Sequence, residues 1–151
     1  MQKPKLSLKG RALRYLSQRE HSRLELARKL SPHVAEGEDL DAVLDWLRDA
    51  NFLSAERFSE SLVHRRAARF GNHRILAELQ SHQLSAEDME NRKAEMQETE
   101  LARAVNLLHR KFPVAPVDQE EKYKQMRFLQ QRGFSSASIR AAMRAEREEW
   151  H

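Results

Sequence analysis

Cysteine is absent from the 151 residues, so disulfides and thiolate chemistry are excluded, and a reducing compartment is compatible. Glycine and proline number only four each, and apolar residues make up 40% against 33% charged. That balance fits a helical protein with a thin core and much surface. No apolar run approaches the roughly 20 residues that a membrane span needs. The basic start (Lys3, Lys5, Lys9) lacks the apolar region of a signal peptide, so a cytoplasmic, membrane-free protein is expected. Alternating apolar and polar residues never persist for more than a few positions, which leaves no strand pattern.

The motifs of catalysis are missing too. The seven histidines are scattered, and none pairs with another at metal-ligand spacing beside a carboxylate motif. There is no glycine-rich phosphate loop and no serine in a nucleophile-elbow pattern. Gly71 and Gly133 are isolated and read as helix C-caps. The acidic runs at 36–39 and 87–90 fall at helix starts, where compensation of the helix dipole accounts for them. The expectation is a protein that is not an enzyme and needs no metal or cofactor.

What is present is a repeat of about 50 residues. Leu30, Ala35 and Leu40 are matched at the same offsets by Leu79, Leu84 and Met89, and again by Leu129, Phe134 and Ile139. No insertion is needed to align them. Self-similarity at this period indicates stacked helical units, each too small to bury a face alone. The expected fold is all-α, with three tandem three-helix repeats over 1–53, 54–98 and 99–151 in an elongated, curved arrangement.

Each repeat resolves into helical stretches with recognisable ends. Leu13, Tyr15 and Leu16 open the first. Ser22, with Glu25 three residues on, has capping-box spacing before Leu24, Leu26 and Leu30. Pro32 is expected to push Ser31 out of the helical region, and Gly37 marks a loop before Leu40, Val43, Leu44 and Leu47. Ser54 caps the stretch bearing Phe58, Leu62 and Val63, which should end near Gly71; Ile75, Leu76 and Leu79 carry the next. Ser85 caps the following helix, in which Arg92 and Lys93 occupy the places of Val43 and Leu44, so this helix should be the most exposed. No Gly or Pro divides residues 86–111, leaving open one long helix or a break near Thr99. Leu101, Val105 and Leu108 begin the third repeat, Tyr123, Met126 and Leu129 its second helix, and Ser135 caps a last helix with Ile139 and Met143 inward.

Charge alternates in blocks. Residues 1–35 carry nine Lys or Arg against Glu20 and Glu25, residues 36–60 eight acids against Arg48 and Arg57, and the three later blocks alternate likewise to a total of +4. A plain nucleic-acid binder is more uniformly basic; blocks suit a partner surface that itself carries both signs. Arg65, Arg66, Arg69 and Arg74 cluster around Gly71. Arg140, Arg144 and Arg147 fall at i, i+4 and i+7, and Arg11 with Arg14 makes a shorter stripe. Such stripes suit phosphates or acidic protein surfaces; the ordinary alternative is solubilising arginine.

Four segments add up to a family. Residues 19–30, Arg-Glu-His-Ser-Arg-Leu-Glu-Leu-Ala-Arg-Lys-Leu, resemble the REHSRxELxxKL signature of the RecX recombination regulators. Leu53 to Phe58 is similar to that family's LDDxRFA segment. Gly71, Arg74, Ile75, Glu78 and Leu79 match its GxxRIxxEL stretch, and residues 124–135 its KxxRFLxxRGF element. Two departures stand out: His82-Gln83 replaces a basic-Gly ending, and Ser31-Pro32-His33 shortens a helix.

The resemblance implies a three-repeat helical molecule lying in the groove of a RecA–single-stranded DNA filament. It implies inhibition of ATP hydrolysis, strand exchange and assisted repressor cleavage. RecA and its filament are the implied partners, with single- or double-stranded DNA as a direct contact, and the chain is expected to act as a monomer. The candidate filament- or DNA-binding residues are Arg14, Arg19, Arg23, Arg65, Arg66, Arg69, Arg74, Arg127, Arg132, Arg140, Arg144 and Arg147. Two other classes stay open: a stand-alone helical nucleic-acid-binding protein, and an adaptor that binds only protein.

Overall fold

A computed structural model describes residues 5–147. Lys3, His151 and the outermost residues of the first and third repeats lie outside the described residues. Among the described residues the chain is all helical: α1 (Leu8–Gln18), α2 (Arg23–Leu30), α3 (Leu40–Asp49), α4 (Ala55–Arg66), α5 (Asn72–Ser81), α6 (Ala86–Lys111), α7 (Gln119–Gln131) and α8 (Ser136–Arg144). A single 3₁₀ turn, Ser31–His33, follows α2.

The starts are set by side-chain caps. Ser7, Ser22, Asp39, Ser54, Ser85, Asp118 and Ser135 each accept a hydrogen bond from the backbone N–H three residues on, as the unpaired donors of a first turn require. At Ser22 only half of a capping box forms. Its hydroxyl accepts from the Glu25 N–H at 3.1 Å, but the Glu25 carboxylate turns to Arg19 instead of back to the cap.

Three apolar clusters form in a row. Leu8, Ala12, Leu26, Leu30, Leu44, Leu47 and Leu53 fill the first, between α1, α2 and α3. Phe58, Leu62, Ile75, Leu79 and Met96 fill the second, between α4, α5 and the first half of α6. Ala104, Leu108, Leu129, Phe134, Ile139 and Ala142 fill the third, between the rest of α6, α7 and α8. The repeated leucines Leu30, Leu79 and Leu129 are each fully buried. The accessible surface of 10463 Å² exceeds the roughly 7,900 Å² of a compact monomer of this mass, as a row of small cores requires.

The 86–111 segment is one unbroken helix of 26 residues. It serves as third helix for the second cluster and first helix for the third, so eight α-helices supply three three-helix units. It is not the most exposed element. Arg92, Met96, Glu100, Ala104 and Leu108, spaced by four, are all buried along it. The stripe expected through Leu101 is one residue out of place, and Leu101 is half exposed. Arg92 lies inside, its Nη1 3.0 Å from Glu60 and its Nη2 3.1 Å from Glu95. One acid from α4 and one a turn further along α6 let an arginine take an apolar position.

Several further expectations are corrected. The repeats do not align without insertion: Met89 and Ile139 stand four residues after their caps Ser85 and Ser135, whereas Leu40 directly follows its cap Asp39. The first unit carries three extra residues, spent on the 3₁₀ turn. Ala35 is exposed in consequence, and Val34 packs in its stead. Ser31 keeps helical angles (φ −49°, ψ −44°) despite preceding Pro32, because the chain tightens rather than leaving the helix. Tyr123 is exposed, and the buried positions on its helix are Gln125 and Leu129. The Gln83 departure has a cost: Gln83 takes the left-handed conformation, φ 57°, that Gly133 takes at φ 87° after α7.

Candidate functional site

The seam between the second and third units begins with Gly71. It is not a C-cap: its φ of −83° is ordinary, and it stands at the N-terminus of α5. Glycine is required by proximity, since a Cβ there would lie 2.3 Å from the Phe134 nitrogen. The Gly71 N–H donates to the Arg132 carbonyl at 2.8 Å, and the His73 N–H to the Gly133 carbonyl at 3.1 Å. The free donors of one helix start thus satisfy the free acceptors of another helix end. Gly133 does serve as the αL residue after α7, and a Cβ on it would meet that of Arg74 at 2.5 Å.

Two side chains lock this seam, Glu100 buried and Arg103 half-buried. Glu100 Oε2 accepts from the Asn72 N–H at 2.8 Å. Its Oε1 accepts from the Ser135 hydroxyl at 2.5 Å and the Ser138 hydroxyl at 2.7 Å. One carboxylate therefore serves the N-termini of α5 and α8 together. Burial opposes its ionisation, but these hydrogen bonds outweigh it and hold its pKa below the usual range. Arg103 donates to the Ala67 carbonyl at 3.1 Å, the Phe70 carbonyl at 2.8 Å and the Asn72 amide oxygen. Burial lowers its pKa.

On the outer side of the seam this framework presents Phe70 with three guanidinium groups around its ring. Arg74 is 4.1 Å from the ring centroid, Arg132 5.5 Å and Arg69 5.9 Å. Arg132 also lies 5.2 Å from the Phe128 ring and donates to the Arg69 carbonyl. None of the three forms an ion pair with a carboxylate among the described residues, although nine such contacts occur elsewhere. An open hollow of about 430 Å³ is lined by Arg66, Arg69, Phe70, Arg74, Ile75 and Glu78. Stacked guanidinium groups keep their N–H edges free for an anion.

The other candidate arginines divide by what they touch. Arg66 is spent on Glu78, with bonds of 3.0 Å from both Nε and Nη2; this hydrogen bonding is the main cause of the lowered Glu78 pKa. Arg19 is bound by Glu25, and Arg23 pairs with Asp45 at 2.8 Å. Arg147 is not on the last helical stripe, because α8 ends at Arg144 and Ala145 is extended. It folds back to donate to the Phe112 carbonyl at 3.1 Å and to Gln125. Arg14, Arg65, Arg127, Arg140 and Arg144 are exposed. Sequence reasoning missed Phe70, Glu100 and Arg103. An aromatic set between Arg69 and Gly71 was a signal for the first, and the four-residue step from Met96 to Ala104 and Leu108 for the second. Arg103 had none.

Among the described residues no helix is long and apolar enough to cross a membrane, and no group of His, Asp and Glu is arranged to hold a metal ion.

Comparison with known proteins gives consistent matches. The family described as "RecX, first three-helix domain" matches residues 9–47, and "RecX, third three-helix domain" matches residues 98–143. The "Regulatory protein RecX" of Herbaspirillum seropedicae is 60% identical over 142 residues, covering 94% of this chain and 92% of that protein. That of Herminiimonas arsenicoxydans is 58% identical over 148 residues, covering 98% of each. The crystal structure of RecX from Lactobacillus salivarius superposes with a TM-score of 0.74 at 19% identity, over 90% of this chain and 92% of that one, a likeness of fold.

Proposed function

The chain belongs to the RecX family of regulatory proteins, and from that premise we propose that it modulates RecA recombinase, chiefly by inhibition. In this reading it acts as a cytoplasmic, non-catalytic monomer of three repeats, 1–53, 54–98 and 99–151. It lies along a RecA–single-stranded DNA filament and suppresses ATP hydrolysis, strand exchange and co-protease activity. Recombinational repair and the SOS response are thereby restrained. The observation that carries the reading is the Arg69, Arg74 and Arg132 cluster, which forms no ion pair with a carboxylate among the described residues and which the Gly71–Gly133 contact holds in place. Arg14, Arg65, Arg127, Arg140 and Arg144 add exposed cationic groups, while Arg19, Arg23, Arg66 and Arg147 are engaged by partners within the chain.

The test is inhibition of DNA-dependent RecA ATP hydrolysis, with co-sedimentation on filaments at substoichiometric and saturating amounts. A variant carrying Arg65→Glu, Arg69→Glu, Arg74→Glu and Arg132→Glu should lose inhibition, because exposed contacts at about 0.5–1 kcal/mol each add across four sites. The loss should narrow as salt rises. Absence of inhibition by the unaltered chain would refute the reading. Tight DNA binding without RecA, with a steep salt slope, would favour the stand-alone nucleic-acid binder instead.

A further inference from the structure

We propose that the arginine cluster around Phe70 and the partly apolar hollow beside Gly133 form one docking site for an acidic polypeptide segment bearing a bulky apolar side chain; this rests on the regulatory reading and names the occupant of one face. The second hollow, of about 390 Å³, is of mixed character: Met126, Phe134 and Ile139 give it apolar walls, and His73, Gln130, Ser136 and Arg140 line the rest beside Gly133. It adjoins the first through consecutive residues, since His73 lines one and Arg74 the other. The Arg74 Cβ lies directly against Gly133, with no side chain between them. A segment crossing Gly133 meets guanidinium forks on one side and Met126, Phe134 and Ile139 on the other.

The chemistry favours a peptide over a nucleic-acid strand. Recognition of a single strand commonly stacks bases on aromatic faces, but the Phe70 ring already carries Arg74 at 4.1 Å with Arg132 and Arg69 close by. Glu78 also lines the first hollow. A continuous run of phosphates would pass that carboxylate at close range, whereas separate carboxylates can seat on guanidinium forks in bidentate pairs away from it. Met126, Phe134 and Ile139 in the wall of the second hollow reward a leucine or phenylalanine side chain, which a phosphodiester lacks, and Arg140, which also lines it, can take a further carboxylate. Crowding of three like charges is sustained by the Gly71–Arg132 hydrogen bond and by the grip of Arg103 on the Phe70 carbonyl, so the site is formed before the ligand arrives.

Fluorescence anisotropy of the full chain with labelled Asp-Asp-Asp-Leu-Phe tests this. Binding should saturate, and should fall roughly tenfold when the peptide's aspartates become asparagines or its Leu-Phe becomes Ser-Ser. Arg74→Gln with Arg132→Gln should cost a similar factor. Should that pair disturb folding by circular dichroism, Arg74→Lys keeps the charge, removes the fork, and should still weaken binding about threefold. No saturable binding, or equal affinity for the neutralised peptide, overturns the docking site. So does displacement by oligothymidylate at lower concentration than by unlabelled peptide, which would make nucleic acid the occupant. A chain that inhibits RecA ATP hydrolysis yet ignores the peptide sinks this site alone; one that binds the peptide without inhibiting sinks the regulatory reading.

Discussion

The two junctions between units are built differently. The second and third units share a continuous helix, a backbone contact through Gly71 and Gly133, and a carboxylate that serves two helix starts. The first and second units meet through side chains. Arg57 Nε donates to Glu20 at 2.9 Å, Arg57 also reaches Asn51, and the Ser22 hydroxyl stands 2.6 Å from His82 Nδ1. His82 in turn packs its ring 4.6 Å from Phe58. Half-exposed ion pairs contribute little rigidity, while buried, fully satisfied networks specify one geometry. The second and third units are therefore expected to behave as a rigid pair, with the first attached at a polar hinge.

Glu100→Ala should be the most damaging change to that picture. It strands donors on α5 and α8, at a cost of about 3–4 kcal/mol in a urea melt, against under about 1 kcal/mol for Glu20→Ala at the hinge. Equal losses at the two sites would erase the distinction. Next come the core leucines: Leu30→Ala, Leu79→Ala and Leu129→Ala should each cost about 2–4 kcal/mol. Hydrogen exchange should show Leu30→Ala loosening only α1–α3, and Leu79→Ala loosening all of α4–α8 together. Gly71→Ala forces a Cβ into the Phe134 backbone and should cost about 2–3 kcal/mol. Gly37→Ala, with φ 84° but open space around it, should cost only about 1 kcal/mol.

The hinge should also answer to pH before the rigid pair does. Burial lowers the pKa of His82, with Glu25 and Glu78 opposing and Arg19 and Arg28 assisting. Burial likewise lowers that of His21, whose Nε2 accepts from Lys29 at 2.8 Å and whose Nδ1 donates to the Arg19 carbonyl. A histidine with a depressed folded pKa contributes stability above the ordinary histidine value and loses it as pH falls through the folded value. Spin-label distances between α3 and α5 should therefore broaden just below about pH 6.5, while distances between α5 and α7 hold until the carboxylates titrate. Burial works against Glu25 ionisation, but hydrogen bonding to Arg19 brings its pKa to about 2, so its contribution disappears only from the usual glutamate range down to that value. Simultaneous broadening of both distances would contradict the hinge. One small expected effect is a gain: Gln83→Gly removes a left-handed glutamine and should add about 1 kcal/mol in thermal melts.

The unit plan was legible because it rests on periodic leucines and serine caps, which act locally. Leu30, Leu79 and Leu129 all fall in the core, and Ser22, Ser54, Ser85 and Ser135 all cap helices. The misses along α6 share one cause: polar residues in buried places. Glu100 and Arg92 interrupt the apolar stripe of α6, so the count slid to Leu101, and the helix looked exposed. Their burial is decided by partners distant in sequence, Asn72, Ser135 and Glu60. The candidate site was half legible for the same reason. Arg69 and Arg74 are neighbours in the chain, but Arg132 joins them only because two glycines, 62 residues apart, let backbones touch.

The unbroken α6 has a metrical consequence. Its 26 residues make a strut of about 39 Å, so the spacing between surface features of the second and third units cannot stretch. A partner built of identical subunits presents its own interval, and that interval changes when the partner extends or compresses. A strut of fixed length fits one interval and misfits others, while the hinged first unit follows either. The molecule would then hold its partner at the spacing it matches, as a gauge block does, and resist any transition that lengthens the step.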